Sequence, residues 1–309
     1  MAVVSQRASR RERFTLDEGQ YRRIAYVALF TLTLIIFTGA AVRLTGSGLG
    51  CPRWPRCNDN GFLPPLSSHQ LIEFGNRMVT GVVGLPCLLA AVGAYRLRPF
   101  RRELVTPALV LVAGIGVEAL IGGATVLLDL SWEVVILHYV TTCALLIAAA
   151  VLVWRVQHGP DAEPVVNPRR TVIATRALTV YGGLVLVLGS FATAAGPHAG
   201  GAGTGDYVDR MHGVALDTMI KLHGHPAAAF GFLAIGVYLY ARRQGASATL
   251  LRALAAVALL IGAQGVLGLV QYYNALPAGV VWAHASLAAV LWLTLVFASL
   301  AAGRPRAGA

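Results

Sequence analysis

Six polar side chains interrupt apolar stretches of this sequence: Glu73, Asn76, His138, His223, His225 and His284. A group of this kind inside a hydrocarbon layer costs free energy, so each one marks a candidate functional position. An imidazole offers a metal lone pair, and it is the usual axial ligand of haem iron. His223 and His284 could clamp one haem from opposite faces. Asn76 and His138 stand at matching positions earlier in the chain, and an Asn is a poor haem ligand. The second site would then hold an iron with at most one strong protein ligand, leaving room for substrate or water. Such asymmetry fits one electron-transfer haem and one reactive haem. His225 lies two positions from His223 and so points to a different face; the repeat described below favours His223, with His225 as the alternative.

Glu73 is the strongest single candidate for proton chemistry. Its alternative is a structural ion pair with Arg77, four residues on. Arg43 suits the carboxylates of haem propionates. Glu118 and Gln264, in mid-span, are expected to be hydrogen-bonded core groups. Lys221, the only lysine, is expected to reach a propionate or snorkel outward. His69, His198 and His212 are placed in outer loops, solvated or against propionates, and His158 in a linker with no role.

The elements that must position these groups are membrane helices. Hydrophobic residues make up 56% of the 309 and charged residues only 13%, too little charge to cover a soluble domain of this length. A bilayer span needs about 20 apolar residues, and eight stretches qualify: 24–44, 72–94, 104–128, 134–154, 177–195, 217–241, 250–272 and 280–302. The net charge of +11 does not indicate nucleic acid. If the spans alternate, 19 of the 25 basic residues fall on one side, among them Arg22, Arg23, Arg96, Arg98, Arg101, Arg102, Arg155, Arg242 and Arg304. The positive-inside rule makes that side the cytoplasm, with both termini inside a bacterial inner membrane and anionic lipid as the expected partner. The first span is read as retained.

The same layout puts Glu73, Asn76, His138, His223 and His284 within one or two helical turns of the outer boundary, on spans 2, 4, 6 and 8. The chain reads as two four-span halves. A cytoplasmic segment (1–23) precedes the N-terminal half (24–154); a polar linker (155–176) leads to the C-terminal half (177–302) and a tail (303–309). Ile121 through Leu145 aligns without a gap on Leu267 through Leu291, bringing His138 onto His284 and Glu118 onto Gln264. Span 2 falls on span 6, with Asn76 opposite His223. An even number of spans per half makes the repeat parallel. Cys87 and Cys143 fall inside spans and are expected to be inert packers. Cys51 and Cys57 lie in an outer loop, where disulfides persist; a structural staple and a redox pair are both open. The runs Thr45–Gly50 and Gly200–Gly205 lack the strand and lysine of a phosphate loop, and tight packing over the cofactor layer is expected instead.

Several of these segments resemble the haem A synthase family: Thr38-Gly39 through Arg43 to Cys57, Ile72-Glu73-Phe74-Gly75-Asn76-Arg77, and Gly196-Pro197-His198. The resemblance implies eight helices in two similar bundles and oxidation of the C8 methyl of haem O to the formyl of haem A, with a haem b cofactor. It implies Glu73 as the active-site glutamate, His138 as the remaining N-half ligand and His223 with His284 as haem b ligands. Cys51 and Cys57 match the family's outer-loop cysteine pair. Asn76 departs from the family's usual histidine, and a second outer cysteine pair is absent. Haem O synthase and the terminal oxidase assembly factors are the implied partners. The competing classes are a cytochrome b-type electron carrier exchanging with quinone, and a transporter.

Overall fold

The computed structural model describes residues 15–59, 63–64, 67–159, 162–163, 165–198, 200–201, 211 and 213–306. His212, Arg7, Arg10, Arg11, Arg13 and most of the second glycine run lie outside them. Eight long helices carry the chain: α1 (Glu18–Leu44), α2 (Ser68–Arg96), α3 (Arg102–Leu127), α4 (Trp132–Gln157), α5 (Arg169–Ala194), α6 (Leu216–Arg243), α7 (Ala248–Tyr273) and α8 (Ala278–Ala301). Each has 24–29 residues and is apolar enough to cross a membrane. At 1.5 Å per residue that is about 36–44 Å, longer than a hydrocarbon core of about 30 Å. The protein is therefore an all-α, multi-pass membrane protein. Side chains such as Val180, Phe232 and Leu259, each about three-quarters exposed, face outward where lipid replaces water.

The helices start further out than their apolar residues alone suggest. α1 begins at Glu18 rather than 24, because the Asp17 carboxylate accepts from the Gln20 N–H and the Gln20 side chain accepts from the Asp17 N–H. α5 begins at Arg169 rather than 177, with Thr171 and Val172 already buried. Consecutive helices pack as neighbours within α1–α4 and within α5–α8, and α1 closes on α4 as α5 does on α8. The two groups meet where α1 and α4 touch α8 and where α4 touches α5. Trp292 on α8 donates its indole N–H to the Cys143 carbonyl on α4, and Trp282 donates to the Phe37 carbonyl on α1, both at 2.9 Å. Cys87 and Cys143 are buried free thiols, as expected.

The α3–α4 and α7–α8 turns share an uncommon backbone. Asp129 and Leu130 have φ of 48° and 57°, and Ala275 and Leu276 both have 58°. Two successive left-handed non-glycine residues are costly, and here they recur at positions the alignment pairs. They hold the starts of α4 and α8 close to the ends of the preceding helices.

At the opposite end, one of the one-sided arginines is buried: Arg101 is 4% exposed. It donates to the Arg155 and His158 carbonyls at 2.5 and 3.3 Å and pairs with Glu103 at 2.8 Å. The guanidinium thereby satisfies carbonyls that the end of α4 leaves without helical partners. Asn167 does the same work in the second half. Fully buried, it donates to the Ala301 and Ala302 carbonyls at 3.2 and 3.0 Å and accepts from the Ser247 N–H at 2.8 Å. Two short strands, β1 (Val166–Asn167) and β2 (Arg304–Pro305), pair in parallel beside it. Asn167→Ala removes three hydrogen bonds at about 1 kcal/mol each, so a drop of several degrees in the detergent melting temperature is expected; an unchanged melting curve would contradict the clasp.

Candidate functional site

Asn76, His138, His223 and His284 lie six to eight residues below the first residue of α2, α4, α6 and α8. That is about 9–12 Å along each axis, so four helices present polar groups at one depth. The structure assembles them into two separate places.

The first place is formed by α6 and α8. The His223 and His284 rings face each other with centroids 6.4 Å apart and planes at 90°. Two imidazole–metal bonds of about 2.0–2.1 Å, with a ring radius of roughly 1.1 Å on each side, give about 6.3 Å, so the pair fits a single metal between them. The His223 Nδ1 lies 3.1 Å from the Val185 carbonyl on α5. A carbonyl only accepts, so Nδ1 carries the proton and Nε2 keeps the lone pair that a metal needs. Small residues make the space. A Cβ on Gly189 would sit 3.1 Å from the His223 ring, and one on Gly268 would sit 3.6 Å from the His284 ring. His225, on a different face of α6, is exposed.

The second place is formed by α1–α4. The Asn76 Oδ1 accepts from the Thr38 hydroxyl at 2.7 Å. His138 turns towards α3, where its Nδ1 lies 2.6 Å from Glu118 Oε2, although the ring is not aligned for a linear hydrogen bond. The Thr142 hydroxyl also reaches Glu118 Oε2, at 2.9 Å. Gly122 stands one turn above Glu118, and a Cβ there would be 3.4 Å from the His138 ring. The Trp54 indole lies flat enough on Gly123 that a Cβ would meet it at 2.6 Å, so the outer loop covers α3 at the depth of His138.

That loop is built around Glu73. Cys51 and Cys57 form a disulfide. Glu73, 5% exposed, accepts from the Cys51 N–H at 2.6 Å with one oxygen and from Arg77 at 2.5 Å with the other. Arg77 uses its remaining donors on the Arg53, Arg56 and Cys51 carbonyls at 2.7, 3.2 and 2.8 Å. The guanidinium therefore binds the carboxylate and the disulfide loop together, in the forked geometry that only Arg offers. Glu73 is thus ion-paired with Arg77, and it lies one turn from Asn76 on α2.

Other expected residues make contacts within the protein. Arg43 donates to the His198 carbonyl at 3.1 Å, and His198 Nε2 donates to the Leu276 carbonyl at 2.8 Å. With the Gly48 N–H bonded to the Gly200 carbonyl at 2.8 Å, these contacts stitch the outer loops of the two halves. A Cβ on Gly48 would lie 2.9 Å from Leu130, and one on Gly50 would lie 2.5 Å from the His69 carbonyl, so these glycines serve close packing. Lys221 pairs with Asp217 at 2.6 Å in an exposed position. His69 sits in the first turn of α2 rather than in a loop, 3.0 Å from the Ser47 hydroxyl. His158 stacks on Trp154. The sequence reading missed Thr38, Asp217 and the contact of Glu118 with His138. A signal for the last existed: Glu118 with Gly122, and Gln264 with Gly268, recur four residues apart on matching helices.

Arg77→Met leaves the buried Glu73 carboxylate with one donor. Breaking a buried pair on one side costs about 3–5 kcal/mol, so the variant should melt lower and expose residues 51–57 to proteolysis, with Arg77→Lys intermediate. An Arg77→Met protein as stable and as protease-resistant as the parent would contradict this assignment.

The family model for cytochrome oxidase assembly protein, COX15-CtaA, matches residues 22–71 and 67–296. A haem A synthase of Lysinibacillus sphaericus is 32% identical over 170 residues, covering 54% of this chain and 55% of that protein, so in that match the chain spans about half the relative's length. A haem A synthase of Listeria welshimeri is 26% identical over 298 residues, 91% of this chain and 94% of that protein. One of Listeria innocua has the same identity and coverage. The extent of the family match, over the helices that carry every site residue named above, leaves one conclusion: the chain belongs to the cytochrome oxidase assembly protein family, COX15-CtaA.

Proposed function

We propose that this protein is a haem A synthase, an oxidoreductase that converts the C8 methyl of haem O to a formyl group. The observation that carries the reading is the His223–His284 pair, whose 6.4 Å ring separation suits one metal held between α6 and α8. The haem A synthases among its relatives supply the reaction. His223 and His284 hold a haem b cofactor, and bound haem b supplies one-electron redox chemistry. Haem O, the substrate, docks among α1–α4, with His138 as its protein ligand.

The residues of the N-terminal half then divide the work. Methyl-to-formyl oxidation adds one oxygen atom to the carbon, and with water as its source it releases four protons and four electrons per formyl, the electrons leaving to an external acceptor; Glu73 is the buried carboxyl nearest Asn76 that would take up protons. Arg77 and the Cys51 N–H fix its two oxygens, so its position does not depend on mobile solvent. Asn76, with its oxygen held by Thr38, is too weak a ligand to compete for the iron. That leaves one face of the substrate open. Trp54 and the disulfide loop cover the site from outside, and the cysteine pair acts as a staple of that cover. Arg43 lies between the halves at the level where propionates would emerge. Supply of haem O by its synthase and delivery of haem A to terminal oxidase assembly are the partner relations this reaction requires. The termini lie in the cytoplasm of a bacterial cell membrane, following the arginine distribution.

Glu73→Ala is expected to retain haem b while haem O accumulates and haem A falls below detection in extracted haems. Undiminished haem A in that variant would remove Glu73 from the mechanism. His284→Ala is expected to lose haem b and its low-spin spectrum; a variant that kept both would contradict the ligand assignment.

A further inference from the structure

Two contacts at the depth of the histidine layer repeat between the halves with one change of chemistry. On α3, Glu118 is 7% exposed and stands 2.6 Å from the His138 Nδ1. On α7, Gln264 is 6% exposed, and its amide nitrogen donates to the His284 carbonyl at 3.1 Å. The Gln264 Oε1 and the His284 Nδ1 are both buried without a partner, as are the Glu118 Oε1 and, for want of alignment, the His138 Nδ1. Buried polar atoms of this kind normally find partners. Here a donor and an acceptor that lack partners stand on the same pair of residues in each half. Matching glycines, Gly122 and Gly268, leave room beside the two rings.

We propose that Glu118 and Gln264 are positioning residues for His138 and His284. Each accepts from the Nδ1–H, fixing the tautomer that turns Nε2 to the iron, and the change from carboxylate to amide makes His138 the more basic ligand. The inference rests on the haem-binding reading above. An outer partner of a metal-bound imidazole sets its orientation and its basicity, and losing it typically costs about 10–100-fold in metal affinity. A carboxylate draws the Nδ1 proton more strongly than an amide does. An iron held by His138 would therefore have a stronger donor, and a lower potential, with the carboxylate than with an amide in its place. Nothing about His223 repeats the device, because its Nδ1 is held by the Val185 carbonyl.

The near-isosteric exchanges Glu118→Gln and Gln264→Glu separate this role from packing. The purified protein is reduced and its iron–histidine stretching band is recorded by resonance Raman spectroscopy, together with the midpoint potentials of both haems. Glu118→Gln should lower the band frequency of the five-coordinate N-terminal haem and raise its potential. Gln264→Glu should lower the potential of the C-terminal haem. Glu118→Ala should release the N-terminal haem roughly 10–100-fold more readily. Haem bound normally in both exchange variants, with band and potentials unmoved, would overturn the proposal and leave the functional reading standing. A parent protein that binds no haem would overturn both.

Discussion

Polar side chains in a hydrocarbon layer must be satisfied by one another, by backbone or by a bound group, because water is not there to do it. That constraint organises the outer third of this protein. Four helices each bring an imidazole or amide to one depth. The neighbouring helices bring a carbonyl at Val185 to His223, a hydroxyl at Thr38 to Asn76 and a carboxylate at Glu118 to His138, while the Gln264 amide holds the backbone carbonyl of His284. None of these partners lies on the helix it serves. The site therefore exists only when the bundles are assembled, and the helix packing is in turn pinned by the site.

The ends of the bundle serve the layer in different ways. Outside, the Glu73–Arg77 pair nails the disulfide loop down, and the Arg43–His198–Leu276 chain ties the loops of one half to the other. Inside, Arg101 and Asn167 occupy carbonyls at helix ends that would otherwise be left without donors. The loops at one end and the clasps at the other frame the polar layer between them. At that layer the halves differ at two matched positions, Asn76 against His223 and Glu118 against Gln264.

Much of this was legible from residue types. Eight apolar stretches, one-sided arginines and a histidine repeat required no coordinates, because hydrophobicity and periodicity are local properties of the chain. What escaped was set by contacts between helices. Glu118 looked like a core hydrogen-bonder, and only the α3–α4 packing brought it to His138. Arg101 read as one more cytoplasmic cation, since its burial depends on where α4 ends. Asn167 looked like linker, and three backbone groups from distant segments made it a clasp. The early start of α5 escaped for a related reason: Arg169 and Arg170 are polar, yet the helix continues through them to reach the membrane surface. His223 and His225 stand on different faces of α6, and only the packing shows that the His223 ring meets His284 while His225 is exposed.

The central claim is that the two halves hold two haems of unequal coordination. It is tested most directly by extracting and separating the haems of the purified protein and recording its reduced-minus-oxidised spectrum with and without carbon monoxide. The account predicts haem b together with haem O, haem A or a hydroxylated intermediate, and a carbon monoxide shift confined to one of the two haems. Haem b alone, low-spin in both sites and indifferent to carbon monoxide, would contradict it and indicate an electron carrier.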